Sequence, residues 1–338
     1  MRPAPDGPRP LTFAVLRLLA DGEFHSGEAL ARQLEVSRAS VHNALSDAEN
    51  FGLTLYRVRG RGYRLVDPPQ WLDPALIARH LGKQRRAFYI SVLENAASSN
   101  TLLMEQMAAG APAGTVLAVE WQSRGRGRMG RTWHSGLGNA LTFSLLWRFD
   151  CGLAGLSGLS LAVGVALVRV LRSCGLAEVQ LKWPNDVLDK NGSKLAGVLI
   201  EAQGDMLGPS AVVIGIGLNL TLPQQVLRHI GRPAAGLAGS PYTAPDRNLL
   251  LAAILLELGG VLRGFGTHGF AGLRTEWEAH HALQNRRVCL TLPDGSHLPG
   301  IARGVTGDGA LVLKTERGMQ TFNAGEISLT ADAEPALA

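Results

Sequence analysis

Only three cysteines, Cys151, Cys174 and Cys289, occur in 338 residues. Their wide spacing and odd number exclude a disulfide framework and a cysteine-based zinc site, and a reducing, cytoplasmic setting fits best. Long uninterrupted apolar runs are missing too. The two most apolar stretches, Leu156 to Leu171 and Leu249 to Leu262, are broken by Arg169 and Glu257. They read as buried helices rather than membrane spans, and no membrane partner is expected. The N-terminal MRPAPDGPRP has no apolar centre and does not read as a signal peptide. Internal repeats and low-complexity segments are absent as well.

Glycine and positive charge are what the chain has in quantity. Its 41 glycines and formal charge of +5 point to backbone that approaches a ligand closely and to anionic partners, without choosing among nucleotide, nucleic acid and acidic protein. Pattern divides the chain into three. Residues 1–69 carry helical spacing over Leu11 to Ala20, a short helix from Gly27 to Leu34, and a third helix capped by Ser37 and running to Phe51, where Gly52 ends it. Two short strands, Leu55 to Val58 and Tyr63 to Val66, then flank the basic turn Arg59-Gly60-Arg61-Gly62. This is a winged helix-turn-helix, closed by Asp67-Pro68-Pro69. Residues 70–284 mix apolar helices with strands such as Thr115 to Glu120, Leu141 to Trp147, Val179 to Lys182, Leu195 to Glu201 and Ala211 to Gly217, which predicts an α+β unit with a mixed sheet. Residues 223–245 read as a long loop or irregular helical insertion. Residues 285–338 alternate short strands with Asp-Gly and Arg-Gly turns, as a small β-barrel does.

The most informative stretch is Gln122-Ser123-Arg124-Gly125-Arg126-Gly127-Arg128-Met129-Gly130-Arg131-Thr132-Trp133. Arginines alternating with glycines directly after a strand give a flexible backbone that wraps an anion and guanidinium forks that grip phosphate or carboxylate. It lacks the Gly-Lys-Ser/Thr of a phosphate loop and the apolar helix of a dinucleotide fingerprint. A single copy between apolar strands is a poor linker. In Lys182-Trp183-Pro184-Asn185-Asp186 a strand delivers a lysine into a turn; Lys182 can neutralise phosphate, and Asp186 can orient that lysine or reach Mg2+. Lys194-Leu195-Ala196-Gly197 sets a lysine at the mouth of an apolar strand, and Gly215-Ile216-Gly217-Leu218-Asn219 ends another strand with two glycines and an amide suited to ribose or base contact.

Together and in this order, these motifs resemble bacterial biotin–protein ligases. Gly22 to Glu28, the winged helix and the terminal Gly325-Glu326-Ile327-Ser328-Leu329 are similar to the bifunctional members, which also repress biotin synthesis. The resemblance covers nearly the whole chain. It implies a biotin/lipoate-ligase-type central domain, a C-terminal SH3-like barrel, and an ATP-dependent, AMP-forming enzyme. Such an enzyme makes biotinyl-5'-AMP from biotin and ATP with Mg2+ and then biotinylates a lysine of a biotin carrier domain of a carboxylase. It places biotin against Ser98, Ser99, Asn100, Gln122, Gly125, Arg126, Gly127, Arg128, Lys194 and Gly197, with Arg126 and Lys194 catalytic. Nucleotide falls to Arg131, Trp133, Lys182, Asn185, Asp186 and Asn219, with Arg303 on the barrel a further candidate. No metal ligand set is expected of the chain. Ser98-Ser99-Asn100 replaces the usual Ser-Thr-Asn, and Met129 stands where arginine is frequent.

Arg38, Ser40, His42 and Asn43 on the third helix, with Arg57, Arg59, Arg61 and Arg64 in the wing, match groove and phosphate contacts with operator DNA. Asp47 and Glu49 further along speak against it. If DNA is bound, a homodimer reading two half-sites is expected, and family precedent forms it on adenylate binding. The competing readings are a lipoate–protein ligase and a ligand-sensing repressor without catalysis.

Overall fold

The computed structural model describes residues 7–46, 48–228, 230–231, 233–237 and 246–329. The first unit contains α1 (Pro10–Leu18), α2 (Gly27–Gln33), α3 (Arg38–Leu45), and the hairpin β1 (Leu55–Val58) and β2 (Gly62–Leu65). Ser26 and Ser37 cap α2 and α3: their hydroxyls accept the Ala29 and Ser40 N–H groups. The third helix is shorter than its apolar spacing predicts. It ends at Leu45, and a separate 3-10 turn covers Ala48–Phe51. Part of the reason is local, because the Arg57 guanidinium donates to the Leu45 carbonyl at 2.8 Å and satisfies a helix-end acceptor. Asp47 lies outside the described residues, as does the side chain of Glu49. Phe13, Leu16, Leu30, Val41, Leu45 and Leu65 form the core of this unit.

The central unit contains α4 (Pro74–Leu81), β3 (Tyr89–Ala96), α5 (Ser99–Ala108), β4 (Thr115–Gln122), β5 (Ala140–Phe149), α6 (Leu159–Ser173), β6 (Gln180–Lys182), β7 (Asp186–Leu188), β8 (Lys194–Gly204), β9 (Ser210–Asn219), α7 (Gln224–Leu227), α8 (Arg247–His268) and α9 (Arg274–Ala279). Seven strands form one sheet in the order β3-β4-β5-β9-β8-β7-β6. β3 and β4 are parallel and every other pair is antiparallel. Strand alternation sorts the side chains. Phe143, Leu145, Val198, Ile214 and Ile216 join the core shared with α4, α6 and α8. On the opposite face Leu103 and Met107 of α5 pack against Leu146 and Val213, and the rest of that face carries the site.

Leu153–Ser173 and Arg247–His268 are each long and apolar enough to cross a membrane, yet both supply residues to this core. The second extends beyond its apolar stretch at both ends, and Arg247 and Asn248 are buried at its start. Arg247 pairs with buried Glu120 at 2.8 Å and donates to the Ala140 carbonyl at 3.0 Å, while the other Glu120 oxygen accepts the Leu72 N–H at 2.7 Å. Within the expected insertion, residues 229, 232 and 238–245 lie outside the described residues.

The last unit contains β10 (Arg287–Thr291), β11 (His297–Val305), β12 (Leu311–Thr315), β13 (Gly318–Phe322) and β14 (Glu326–Leu329). They form an antiparallel sheet in the order β13-β12-β11-β10-β14. The small barrel therefore has β13 and β14 as edges. The Trp183 indole donates to the Gly309 carbonyl at 3.1 Å, and the Val305 N–H donates to Glu278 at 3.0 Å, fixing this unit to the central one.

Candidate active site

Register brings the motifs together. Across five strands Lys182 pairs with Asp186, Asp186 with Gly197, Gly197 with Gly217, and Gly217 with Thr142, all on the face away from the helical core. The next row joins Leu199, Gly215 and Ser144. A slip of one residue in any strand would turn its motif into the core.

The glycines of β9 border the first hollow and also leave room for side chains of the protein itself. A Cβ on Gly215 would lie 2.1 Å from Asn100 Oδ1, and one on Gly217 would lie 2.4 Å from Trp133 Cε2. Asn100 is thereby seated in the sheet. Its Nδ2 donates to Glu201 at 3.0 Å and to the Leu199 carbonyl at 3.3 Å, and its Oδ1 accepts from Ser144. Ser98 caps α5, and the Ser99 N–H donates to Gln122 at 2.7 Å.

The Arg/Gly stretch folds back on itself. Gly127 N–H donates to Arg131 O at 2.7 Å and Trp133 N–H to Gly125 O at 2.8 Å. The tip takes positive φ at Met129 (+54°) and Gly130 (+72°). Two adjoining hollows result. The first is lined by Ser98, Ser99, Asn100, Gln122, Arg126, Gly127, Arg128, Lys194 and Gly197, together with Asn185 and Asp186. The second is lined by Lys182, Asn219, His134, Ile230 and Ala234; Arg131, Trp133, Lys194 and Glu326 border both. All the expected biotin residues except Gly125 fall in the first, while Arg131, Trp133, Lys182 and Asn219 of the nucleotide group line the second.

Several expectations need correction. Gly125 lines neither hollow: a Cβ there would meet the Trp133 carbonyl at 2.6 Å, so its bareness serves loop packing. Asn185 and Asp186 border the first hollow, and Asp186 pairs with Lys194 rather than Lys182. Asn185 braces the loop, donating to Val198 O at 2.7 Å and accepting from Arg128 at 3.4 Å. Arg303 is not among the lining residues and donates to Asn285 at 2.9 Å. The barrel reaches the cleft through Glu326, which pairs with Arg131.

Three of the anion-gripping cations have a carboxylate against them: Arg126 meets Glu201 at 2.9 Å, Lys194 meets Asp186, and Arg131 meets Glu326. Glu201 and Glu326 carried no assigned role in the sequence reading. Parity reveals Glu201, since it shares a face with Gly197 and Leu199. Glu326 stands in the terminal Gly325–Leu329 motif, which carried the resemblance but no role for this carboxylate. Burial pushes the Arg128 guanidinium below its ordinary value, partly offset by Glu326 and Asp186, while the Glu326 hydrogen bond pushes Arg131 up; both remain cations at neutral pH. Asn219 donates to the Lys194 and Ala235 carbonyls, leaving its own oxygen buried and unpartnered beside the second hollow. Among the described residues no group of three or more His, Cys, Asp or Glu is placed to hold a metal ion.

On the winged helix, Arg38, His42 and Asn43 are exposed along α3, and Arg59 and Arg61 are exposed at the turn. Ser40 is half-buried against Ser37 Oγ at 2.9 Å. Arg57 is spent on the end of α3, and Arg61 and Arg64 both lie over the Phe24 ring, at 4.1 and 5.5 Å from its centroid, so the basic wing is narrower than its sequence.

Three family models match the chain: HTH domain at residues 12–64, Biotin/lipoate A/B protein ligase family at 92–219, and Biotin protein ligase C terminal domain at 284–330. The bifunctional ligase/repressor BirA of Salmonella typhimurium is 35% identical over 95% of this chain and 97% of its own. That of Bacillus subtilis is 30% identical over 92% and 95%. Among solved structures, the biotin protein ligase from Aquifex aeolicus in complex with biotin and ATP superposes with a TM-score of 0.60 at 26% identity, covering 73% of this chain and 98% of that one.

Proposed function

The chain belongs to the bifunctional biotin–protein ligases, and from that premise we propose that it activates biotin with ATP and transfers it to a lysine of a carboxylase carrier domain. The observation that carries this is the pair of hollows meeting at Lys194, Trp133 and Arg131: one fits a small acid, the other a nucleotide, and the cations lie where the two anions must meet. We assign residues 1–69 to DNA, 70–284 to catalysis and 285–338 to support of the nucleotide side.

In the first step a biotin carboxylate oxygen attacks the α-phosphorus of ATP, a P–O bond breaks, and pyrophosphate leaves. In the second, the carrier lysine's amine attacks the anhydride carbonyl, AMP leaves, and an amide forms. Two anions repel each other until cations cancel their charge. Arg126 and Lys194 do this between carboxylate and α-phosphate, exchanging Glu201 and Asp186 for the substrates; Arg128 supports them, and no protein nucleophile is needed. Lys182 and Arg131 neutralise the outer phosphates, and Trp133 and Asn219 form the nucleotide wall. Once exchanged off Lys194, Asp186 would be a carboxylate available to the magnesium that accompanies ATP, an ion that commonly keeps several phosphate and water ligands.

The exposed residues of α3 and the wing support operator binding by this member, with Arg38, His42 and Asn43 toward the groove and Arg59 and Arg61 toward phosphate. The homodimer expected with adenylate bound is assigned to the free β3 edge, where Tyr89 and Leu93 are exposed. The cytoplasmic setting rests on the sparse, free cysteines.

The test is transfer of labelled biotin to a carboxylase carrier domain with ATP and magnesium, comparing wild type with Lys194→Ala and Arg126→Ala. Transfer should fall by two orders of magnitude or more in each, on the scale of losing one preorganised charge (about 10²-fold). Folded wild-type protein that transfers lipoate, or neither acid, overturns the reading.

A further inference from the structure

Both ends of the Arg/Gly loop stand on the winged-helix unit, and on one residue of it. Trp121, next to the loop residue Gln122, packs edge-on against Phe51 with ring centroids 5.2 Å apart. At the other end the Leu137 side chain is fully buried within the core of the winged helix, and its N–H donates to the Phe51 carbonyl at 2.8 Å. The neighbouring backbones approach closely. A Cβ on Gly136 would lie 3.2 Å from Phe51 O, and Asn139 donates to Gly52 O at 3.0 Å.

Resting on the ligase reading above, we infer that Phe51 is a positioning residue for the ligase reaction, holding the two feet of the Arg/Gly loop so that it stays closed over the adenylate. The physical need is plain. A loop rich in glycine and bearing like charges has many open conformations, and fixing its ends near each other removes much of that freedom. Phe51 ends the 3-10 turn that follows α3, so the same residue ties the DNA-facing helix to the ligand loop. Trp121 is the last but one residue of β4 and Leu137 lies between the loop and β5, so the contacts fall where the chain leaves the sheet for the loop and where it returns.

Loosened feet let the adenylate escape, where water cleaves its anhydride to biotin and AMP, so pyrophosphate is produced without biotin transfer. The experiment measures pyrophosphate formed per biotin transferred, using full-length protein, ATP, magnesium and a saturating carboxylase carrier domain, for wild type, Phe51→Leu, Trp121→Leu and the double variant. This ratio does not depend on the fraction of protein that is folded. Phe51→Leu should raise it about fivefold, the scale of one aromatic pair, and the double variant should be no worse than the worse single one. An active wild type whose ratio is unchanged in Phe51→Leu overturns the positioning role. A wild type with no biotin-dependent pyrophosphate overturns the ligase reading itself.

Discussion

Gly217 tests whether the site depends on the fit between β9 and the loop. Its backbone is not among the positive-φ glycines, so alanine is compatible with the strand and any loss must come from the added methyl. That methyl would lie 2.4 Å from Trp133 Cε2 and 2.5 Å from Cζ2, whereas carbon atoms pack at about 3.5–4.0 Å. The indole must therefore retreat by roughly 1 Å. Trp133 is only half-buried and sits on a loop, so it can retreat, at a folding cost in the lower part of the 1–3 kcal/mol range for about one extra methyl. Its retreat moves the wall that both hollows share and the ring 5.8 Å from the Lys194 ammonium. A shift of that size costs on the order of 10²-fold in rate when it misplaces reacting groups. Biotin-dependent ATP–pyrophosphate exchange should fall tenfold to a hundredfold, roughly that range, with the loss greatest at limiting ATP. Gly215→Ala supplies the contrast. Its methyl meets Asn100, which is 3% exposed and held by Ser144, Leu199 and Glu201, so it should cost about 3 kcal/mol or more of stability and damage the biotin side. Folded Gly217→Ala with wild-type ATP dependence would refute the reasoning.

Two further outcomes follow from buried charge. Arg247→Met leaves Glu120 unpaired in the core and should cost about 3–5 kcal/mol in urea unfolding, whereas Glu120→Leu with Arg247→Met should recover much of that loss; a double variant as unstable as the worse single one would contradict this. His281 is buried against Trp277, and burial holds its imidazole down at about 4. The unfolded chain takes up that proton below about 6.5 while the native protein does not, so this group adds nothing to the pH dependence above that value. Stability should fall by up to about 3 kcal/mol between pH 6.5 and 4. Urea midpoints followed over that window, in wild type and His281→Gln, should show the steeper acid loss in wild type.

Most of the strands and the cation set were legible because motif and period coincide: Lys194-Leu195-Ala196-Gly197 both alternates as a strand and carries its lysine at the entrance. What the sequence hid was chiefly pairing. Asp186 and Lys182 are near in sequence and paired across strands, yet the carboxylate turns to Lys194, whose side chain lies over the bare Gly197 opposite Asp186, where a Cβ would be 2.8 Å from Nζ. Gly125, Gly215 and Gly217 read as ligand-approach glycines, but the bulk they accommodate is Asn100 and Trp133, which come from other elements. The early end of α3 depends on Arg57, a residue its own hairpin delivers. Arg303 was a candidate because the resemblance sets the barrel beside the nucleotide, whereas it is Glu326 that enters the cleft, from the edge of the barrel.

That last contact has a bearing on how the protein is made. Arg131 and Glu326 are 195 positions apart, and β14 is the final described strand. On the ribosome, the loop and both hollows emerge long before the carboxylate that meets them. A nascent or prematurely ended chain would thus hold a partly built activating centre lacking its last brace. The pairing that Arg131 shows in the folded protein is completed only after synthesis has passed β14.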